Sequence, residues 1–347
     1  MRRFRSIAIT ALVGIIGGAA FPLFFYGLRP QTILNGIIVG LFISFSITFI
    51  ERSILEEQLR RMRFSFALGI RTAVQMLTIV LSVALGDIIF TMLSSKRSLG
   101  DVFEIESLRR FLFGSEMLMI VLYAITLSFL VNMIRQMSRM LGQNVLLNMM
   151  VGKYSSPIEE DRVFMFLDLN ASTTIAERIG NVRYHELLDD YVYDITKQIL
   201  VSHGEIYQYV GDEVVVTWKV TGATTTMDCI DCFFRISEAM EAVSGKYQER
   251  YGFVPGFKAG FHYGTVVAGQ IGDIKREIVF QGDVVNTASR IKETCTSLGA
   301  KILISRELLE ILPQTNTPYR ALRVGSFLLK GKEHEVELFS VAKLPAA

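Results

Sequence analysis

Two aspartates in the second half of the chain could hold divalent metal ions. Asp168 closes an apolar run predicted to be a strand, and Asp212 lies at the tip of a predicted hairpin. Two carboxylates on neighbouring strands suit hard cations, because Mg²⁺ prefers oxygen ligands and typically takes one or two carboxylates together with substrate phosphates. Aspartates that only make turns would leave the same pattern, so the pair indicates a metal site only if other motifs agree with it.

A second group of chemically useful residues lies in residues 282–290. Asn286 and Arg290 are four residues apart on a predicted helix, which places both on one face. An amide and a guanidinium there could orient a ribose and neutralise a charged phosphate in a transition state. A solvated surface helix would explain Arg290 alone, but it explains Asn286 less well because asparagine is a poor interior helix former.

The cysteines and the net charge argue against several other kinds of site. Cys229 and Cys232 form a single CxxC, whereas a zinc site needs four ligands, and the four histidines show no metal-type spacing with them. We interpret these cysteines as small residues on one helix face. Three cysteines in all suit a reducing cytosol, and a net charge of +2 gives no basic face large enough for nucleic acid.

The motifs around these residues resemble those of class III adenylyl and guanylyl cyclase domains, in order and at the family's spacing. The similarity covers about residues 163–340. The motifs are FMFLDLN (164–170), YVGDE (209–213), GFHYGTVVAGQIG (260–272), GDVVNTASR (282–290) and LKGK (329–332).

The resemblance implies a ferredoxin-like (palm) α+β fold and a homodimer that pairs head to tail, with active sites at the interface. It implies two Mg²⁺ or Mn²⁺ ions per active site and ATP as substrate, with GTP as the alternative. The implied residues are Asp168, Leu169 and Asp212 for the metals, Asn286 and Arg290 from the other subunit for catalysis, and Lys330 or Lys332 for the terminal phosphates.

Two positions depart from the family in a way that concerns the base. Where adenylyl members carry lysine and aspartate or threonine, and guanylyl members glutamate and cysteine, this chain has Gln208 and Val279. Gln208 can donate and accept hydrogen bonds and could read either purine edge, whereas Val279 offers only packing. ATP is chosen by analogy with bacterial members. The alternatives are a guanylyl cyclase and a catalytically weak receptor or dimerisation module.

The first half of the chain is predicted to be an α-helical transmembrane bundle of about four spans. Its apolar runs, near residues 7–28, 33–50, 72–93 and 117–133, can each cross a hydrocarbon core of about 30 Å. Arg and Lys near the span ends favour both termini and the catalytic domain in the cytoplasm, with the spans crossing the inner (plasma) membrane. Arg71 lies near a span end, where it can snorkel, and the spans carry no acidic or histidine cluster, so we predict an anchor or a sensor in the lipid bilayer rather than a transporter.

These patterns predict three domains: a transmembrane helical domain (1–134), a helical connector (135–160) and a cytoplasmic nucleotide cyclase catalytic domain (161–347). The connector helix is either a single amphipathic linker or a second dimer contact besides the catalytic domain. The catalytic domain is expected to have a mixed or antiparallel sheet with helices on one side. Its predicted elements are strands at 163–169, 205–210 and 214–218, a hairpin at 257–271, a capping box of Thr174 and Glu177, and helices at 184–202, 225–251 and 284–297.

Overall fold

Two compact units make up the chain, Met1–Met140 and Leu141–Ala347. The computed structural model describes residues 2–28, 30–50, 62–95, 106–142, 145–221, 227–313, 315 and 317–344. The prediction of orientation depends on basic residues near the span ends, and several of these lie outside the described ranges: Arg52, Arg60, Lys96 and Arg97.

The first unit is built from helices that coincide with the predicted apolar runs. Three stretches of these helices, Thr32–Ile50, Phe64–Gly86 and Ser115–Ser138, are long and apolar enough to cross a membrane, and the first helix contributes a shorter apolar stretch, Ala11–Phe24. The helices are α1 (Arg2–Tyr26), α2 (Pro30–Ile50), α3 (Phe64–Ser95), α4 (Glu106–Phe113) and α5 (Ser115–Leu141).

Glycines bring the backbones of α1 and α2 into direct contact. A Cβ atom added to Gly18 would lie 2.2 Å from the carbonyl oxygen of Gly36, and one added to Gly40 would lie 2.1 Å from that of Gly14. Small residues spaced four apart allow helices to approach this closely in an apolar environment. The glycines of the first two spans are therefore packing residues.

A polar contact joins α3 to α5. The buried side chains of Gln75 and Asn132 exchange hydrogen bonds: Gln75 Nε2 donates to Asn132 Oδ1 at 3.2 Å, and Asn132 Nδ2 donates to Gln75 Oε1 at 3.0 Å. Arg71, one turn before Gln75, is also buried and lies inside the stretch Phe64–Gly86. The expectation that Arg71 snorkels from a span end is therefore wrong.

The predicted connector is helical but not continuous. Helix α5 ends at Leu141, where Gly142 takes a left-handed φ of +94° that glycine adopts without a Cβ penalty. A short helix, α6 (Val145–Met150), follows before the sheet begins.

A mixed eight-stranded sheet forms the second unit. Its order is β2-β3-β1-β4-β6-β8-β7, with β5 paired to β4, and the β4–β6 pair is parallel while the other pairs are antiparallel. The strands are β1 (Ile158–Leu169), β2 (Glu205–Val210), β3 (Glu213–Lys219), β4 (Phe257–Ile271), β5 (Glu277–Gln281), β6 (Ile302–Ser305), β7 (Tyr319–Phe327) and β8 (Val336–Lys343).

Helices cover both faces of this sheet. Alternate residues of a strand point to opposite faces, and on β1 the buried Met165 packs with α8 and α9 whereas Phe164 packs with α11. The prediction of helices on one side is therefore wrong. The helices are α7 (Ser172–Ile179), α8 (Asn181–Val201), α9 (Asp228–Ala242), α10 (Ser244–Tyr251), α11 (Asp283–Leu298) and α12 (Arg306–Ile311).

The predicted hairpin at 257–271 is instead the single long strand β4. Its internal glycines make room for α11 rather than a turn, since a Cβ on Gly264 would lie 2.6 Å from Val284 Cγ2. The capping box is also not formed, because α7 already begins at Ser172 after Ala171 in a left-handed conformation. The predicted helix 225–251 is two helices, α9 and α10, and its first two residues lie outside the described part of the chain.

Candidate active site

The sheet register brings Asp168 and Asp212 to the same edge. Strands β1 and β3 are antiparallel with Leu167 opposite Val214, so the end of β1 lies beside the turn that precedes β3. Gly211 has a φ of +64° in that turn, a conformation that favours glycine. The two carboxyl groups are close enough for each to shift the pKa of the other.

The environment separates the pKa values of these two carboxyl groups. Burial raises the pKa of Asp212, and the neighbouring Asp168 raises it further, against a hydrogen bond from Ser172 that lowers it. Burial also acts to raise the pKa of Asp168, but the hydrogen bond from Lys258 and the charge of Lys292 outweigh it and hold the pKa below its usual range. Asp212 is thus the member of the pair that more readily keeps a proton.

Two lysines that the sequence reasoning missed lie against Asp168. Lys258 stands opposite Asp168 in the β1–β4 register, and its Nζ is 2.9 Å from Asp168 Oδ2. Lys292 of α11 places its Nζ 3.4 Å from the same oxygen and 2.7 Å from Glu213 Oε2. The sequence offered one signal for the second lysine, its position: Lys292 lies two residues after Arg290, and its partner Glu213 directly follows Asp212.

The side chains at this edge fit a site for hard divalent cations. Asp168 and Asp212 supply two carboxylates. Mg²⁺ commonly takes one or two carboxylates beside substrate phosphates. Burial, and after it the neighbouring Asp168, raises the pKa of Asp212, and a bound cation would favour the ionised carboxylate. The side chain of Leu169 is buried in the core, so only its main-chain carbonyl could contribute.

No group of three or more His, Cys, Asp or Glu side chains suited to a metal occurs among the residues that the structure describes. Cys229 and Cys232 are buried free thiols, and burial raises the pKa of both, that of Cys229 to about 12. They pack in the core with α8, as small residues of one helix face.

Asn286 and Arg290 lie together on α11, but the hydrogen bonds of the described residues do not join them to the aspartates of the same chain. Asn286 is exposed, and the half-buried Arg290 donates from Nη1 to Glu293 at 3.0 Å. In the loop between β7 and β8, Lys332 contacts the carboxylate of Asp283, in the first turn of α11. Lys330 of the same loop is exposed.

The two predicted base-reading residues lie on different strands. Gln208 is exposed on β2, and Val279 is half-buried on β5 opposite Gly269. Their neighbours hold these strands together: the backbone N–H of Phe280 donates to the hydroxyl of Tyr207 at 3.3 Å, and the two rings are 5.0 Å apart. This aromatic contact was not predicted.

Comparison with known proteins identifies the second unit. Residues 156–343 match the adenylate and guanylate cyclase catalytic domain. Adenylate cyclase 2 of Rhizobium meliloti is 36% identical over 222 residues, which cover 64% of this chain and 61% of that protein. Retinal guanylyl cyclase 2 of Homo sapiens is 27% identical over 51% of this chain and 16% of that protein.

A solved structure has the same fold. A bacterial light-regulated adenylyl cyclase superposes with a TM-score of 0.55 at 19% identity, covering 66% of this chain and 67% of that one. This chain spans less than two thirds of the curated relatives it matches. Since the family match extends over more than half of the chain and contains the Asp168–Asp212 edge and helix α11, the chain belongs to the class III adenylate and guanylate cyclase family.

Proposed function

We propose that the chain is a membrane-anchored adenylate cyclase that converts ATP into 3′,5′-cyclic AMP and pyrophosphate. The observation that carries this proposal is the register that places Asp168 and Asp212 at one sheet edge, where each carboxyl group shifts the pKa of the other. The similarity to adenylate cyclases of Rhizobium meliloti and Anabaena cylindrica supports ATP as the substrate.

The first unit would anchor the enzyme. Three apolar helical stretches of sufficient length support a multi-pass protein of the inner membrane, and the bias of positive charge toward the predicted cytoplasmic flanks supports a catalytic domain in the cytoplasm. ATP is available in that compartment.

The active form would be a head-to-tail homodimer. Asn286 and Arg290 sit on α11, where Arg290 is bonded to Glu293 instead of to the aspartates of its own chain. This supports an arrangement in which each active site takes its aspartates from one subunit and its asparagine and arginine from the other.

In the reaction, the ribose 3′-hydroxyl gives up its proton to water and its oxygen forms a bond to the α-phosphorus, while the bond between that phosphorus and the pyrophosphate oxygen breaks. Metal ions bound at Asp168 and Asp212 would lower the pKa of that hydroxyl and neutralise phosphate charge. Asn286 would orient the ribose, and Arg290 would stabilise charge that develops on the α-phosphate. Lys332, which forms an ion pair with Asp283 at the start of α11, would exchange that partner for the terminal phosphates.

A guanylyl cyclase is the second candidate. Gln208 and Val279 match neither base-reading pattern of the family, and retinal guanylyl cyclases are among the relatives. Gln208 can present a donor or an acceptor to either purine.

Turnover of ATP and GTP by the detergent-solubilised full-length protein, each with Mg²⁺ and with Mn²⁺, tests the proposal. Chromatography should identify cyclic AMP as the main product. Cyclic GMP in its place would establish the second candidate. No cyclic nucleotide from a protein verified as a dimer would refute both, in favour of a receptor or dimerisation module.

A further inference from the structure

We propose that Lys292 is a built-in counter-ion for the metal site: it holds Asp168 in the metal-free protein and transfers fully to Glu213 when a divalent cation binds. This inference rests on the proposed function, because it assumes that Asp168 is a metal ligand. Lys292 would act when the metal binds, before the reaction, and is therefore a positioning residue rather than a catalytic one.

Lys292 is shared between two carboxylates in a largely buried cluster. Its Nζ is 2.7 Å from Glu213 Oε2 and 3.4 Å from Asp168 Oδ2, and the three side chains are 14%, 12% and 15% exposed, respectively. At this burial each charge needs a partner, since an unpaired buried charge is strongly destabilising. The unequal distances show that the ammonium group already favours Glu213.

The shared position allows Lys292 to leave Asp168 at little cost. When a metal ion binds the Asp168 carboxylate, the Lys292 ammonium group keeps its ion pair with Glu213, so the Lys292 charge is not left unpaired. Lys258 is different, because it faces Asp168 directly across the β1–β4 ladder and contacts the same oxygen at 2.9 Å. Lys292 is therefore the lysine that can release the Asp168 carboxylate.

The backbone of Lys292 is held in place, so only its side chain can move. Helix α11 lies so close to β4 that a Cβ on Gly260 would be 2.2 Å from the Lys292 nitrogen and 2.7 Å from its Cα. The ammonium group can swing between two acceptors while its attachment point stays fixed. Glu213 is fixed equally well as the first residue of β3.

The consequence is a metal affinity set by competition. A divalent cation that binds Asp168 must displace the Lys292 ammonium group from that carboxylate. The ammonium group then remains nearby, on Glu213, and repels the cation. A unit charge about 5 Å from a divalent ion, at the dielectric constant of water, weakens binding roughly tenfold. Removing the Lys292 charge should therefore tighten metal binding, whereas removing the Glu213 acceptor should weaken it.

Mn²⁺ binding to the full-length protein in detergent, followed by electron paramagnetic resonance without nucleotide, tests this. Lys292→Met should bind Mn²⁺ about tenfold more tightly than wild type, and Glu213→Gln should bind it more weakly. In the Lys292→Met background, Glu213→Gln should have a clearly smaller effect, because the lysine that it controls is absent. Lys246→Met is the matched control, since Lys246 forms an ion pair with Asp194 at 3.0 Å and should leave Mn²⁺ affinity unchanged.

Equal or weaker Mn²⁺ binding by Lys292→Met would overturn the proposal, as would an equal loss from Glu213→Gln in both backgrounds. If Lys292→Met does not fold, Lys292→Gln replaces it and should also bind more tightly. If the wild type makes cyclic nucleotide but Lys292→Met does not change the Mn²⁺ affinity, only this inference is refuted. Wild-type protein that binds no Mn²⁺ refutes the metal site on which the proposed function depends as well.

Discussion

Replacing His262 with glutamine should make the stability of the second unit less sensitive to acid. His262 is 7% exposed on β4, and its Nδ1 lies 2.7 Å from Ser305 Oγ. Burial lowers the pKa of His262 to about 4, and the charge of Lys332 acts in the same direction, against the carboxylates of Glu307 and Asp283. The imidazole is therefore neutral in the folded protein at any pH above about 4.

The sign follows from proton binding in the two states. A histidine in the unfolded chain has a pKa of about 6.5, so between pH 6.5 and 4 the unfolded state binds a proton that the folded state does not. Unfolding is therefore favoured as the pH falls through this window. At pH 5, about 1.5 units below the unfolded pKa, the loss is about 2 kcal/mol relative to pH 7.5, at about 1.4 kcal/mol per unit.

Tryptophan fluorescence can follow this change in the full-length protein. Trp218 is the single tryptophan, it is buried in the second unit, and its Nε1–H donates to the carbonyl oxygen of Ser202 at 2.7 Å. Urea unfolding of the detergent-solubilised protein at pH 7.5 and pH 5 gives the free energy of unfolding from the fluorescence transition. The wild type should lose about 2 kcal/mol more than His262→Gln between these pH values.

Parallel pH dependence in the two proteins would refute this reasoning, because the histidine would then carry the same charge in both states. The titration of Asp168 does not affect the comparison of the wild type with His262→Gln. The lowered pKa of Asp168 means that its contribution is lost only as the pH falls through acidic values below the usual aspartate range, and it is present in both proteins.

Three further predictions concern the shared site, the fold of the second unit and the helices of the first. Chains with Asp212→Ala or Arg290→Ala should each be inactive, but mixed dimers should recover about a quarter of wild-type turnover, since about half of randomly paired dimers have one intact site. Gly260→Ala, which places a Cβ 2.2 Å from the Lys292 nitrogen, should lower the urea stability of the second unit by about 3 kcal/mol. Gly18→Leu, whose Cβ would be 2.2 Å from a carbonyl oxygen of α2, should lower the aggregation temperature in detergent without moving the tryptophan transition.

Matched variants separate these effects from general damage. Gly245→Ala meets nothing within 4 Å on α10 and should be neutral or slightly stabilising, and Gly69→Leu, equally open on α3, should leave the aggregation temperature unchanged. Failure of proven mixed dimers to recover activity would contradict head-to-tail pairing. Wild-type stability of Gly260→Ala or Gly18→Leu would contradict the close packing assigned to those glycines.

The sequence by itself determined the local features of this protein. The lengths of apolar runs predicted the helices of the first unit, and the order of short motifs predicted the cyclase family and the helix that carries Asn286 and Arg290. The predicted pairing of Asp168 with Asp212 also agreed with the structure. The helices and motifs depend on residues near one another along the chain, where spacing and residue type carry the information. Asp168 and Asp212 are far apart along the chain, and their pairing was inferred from the chemistry that two strand-end carboxylates would share.

Only the tertiary structure decided which charges surround Asp168 and which face of the sheet α11 covers. Lys258 and Lys292 come from β4 and α11, far along the chain, and their positions depend on strand register and on a helix approach that Gly260 permits. The hairpin predicted at 257–271 was wrong because a glycine that makes room for a helix and one that bends a strand leave the same local pattern. A burial pattern of period two shows that a strand has two faces, but not which helix will pack on each of them.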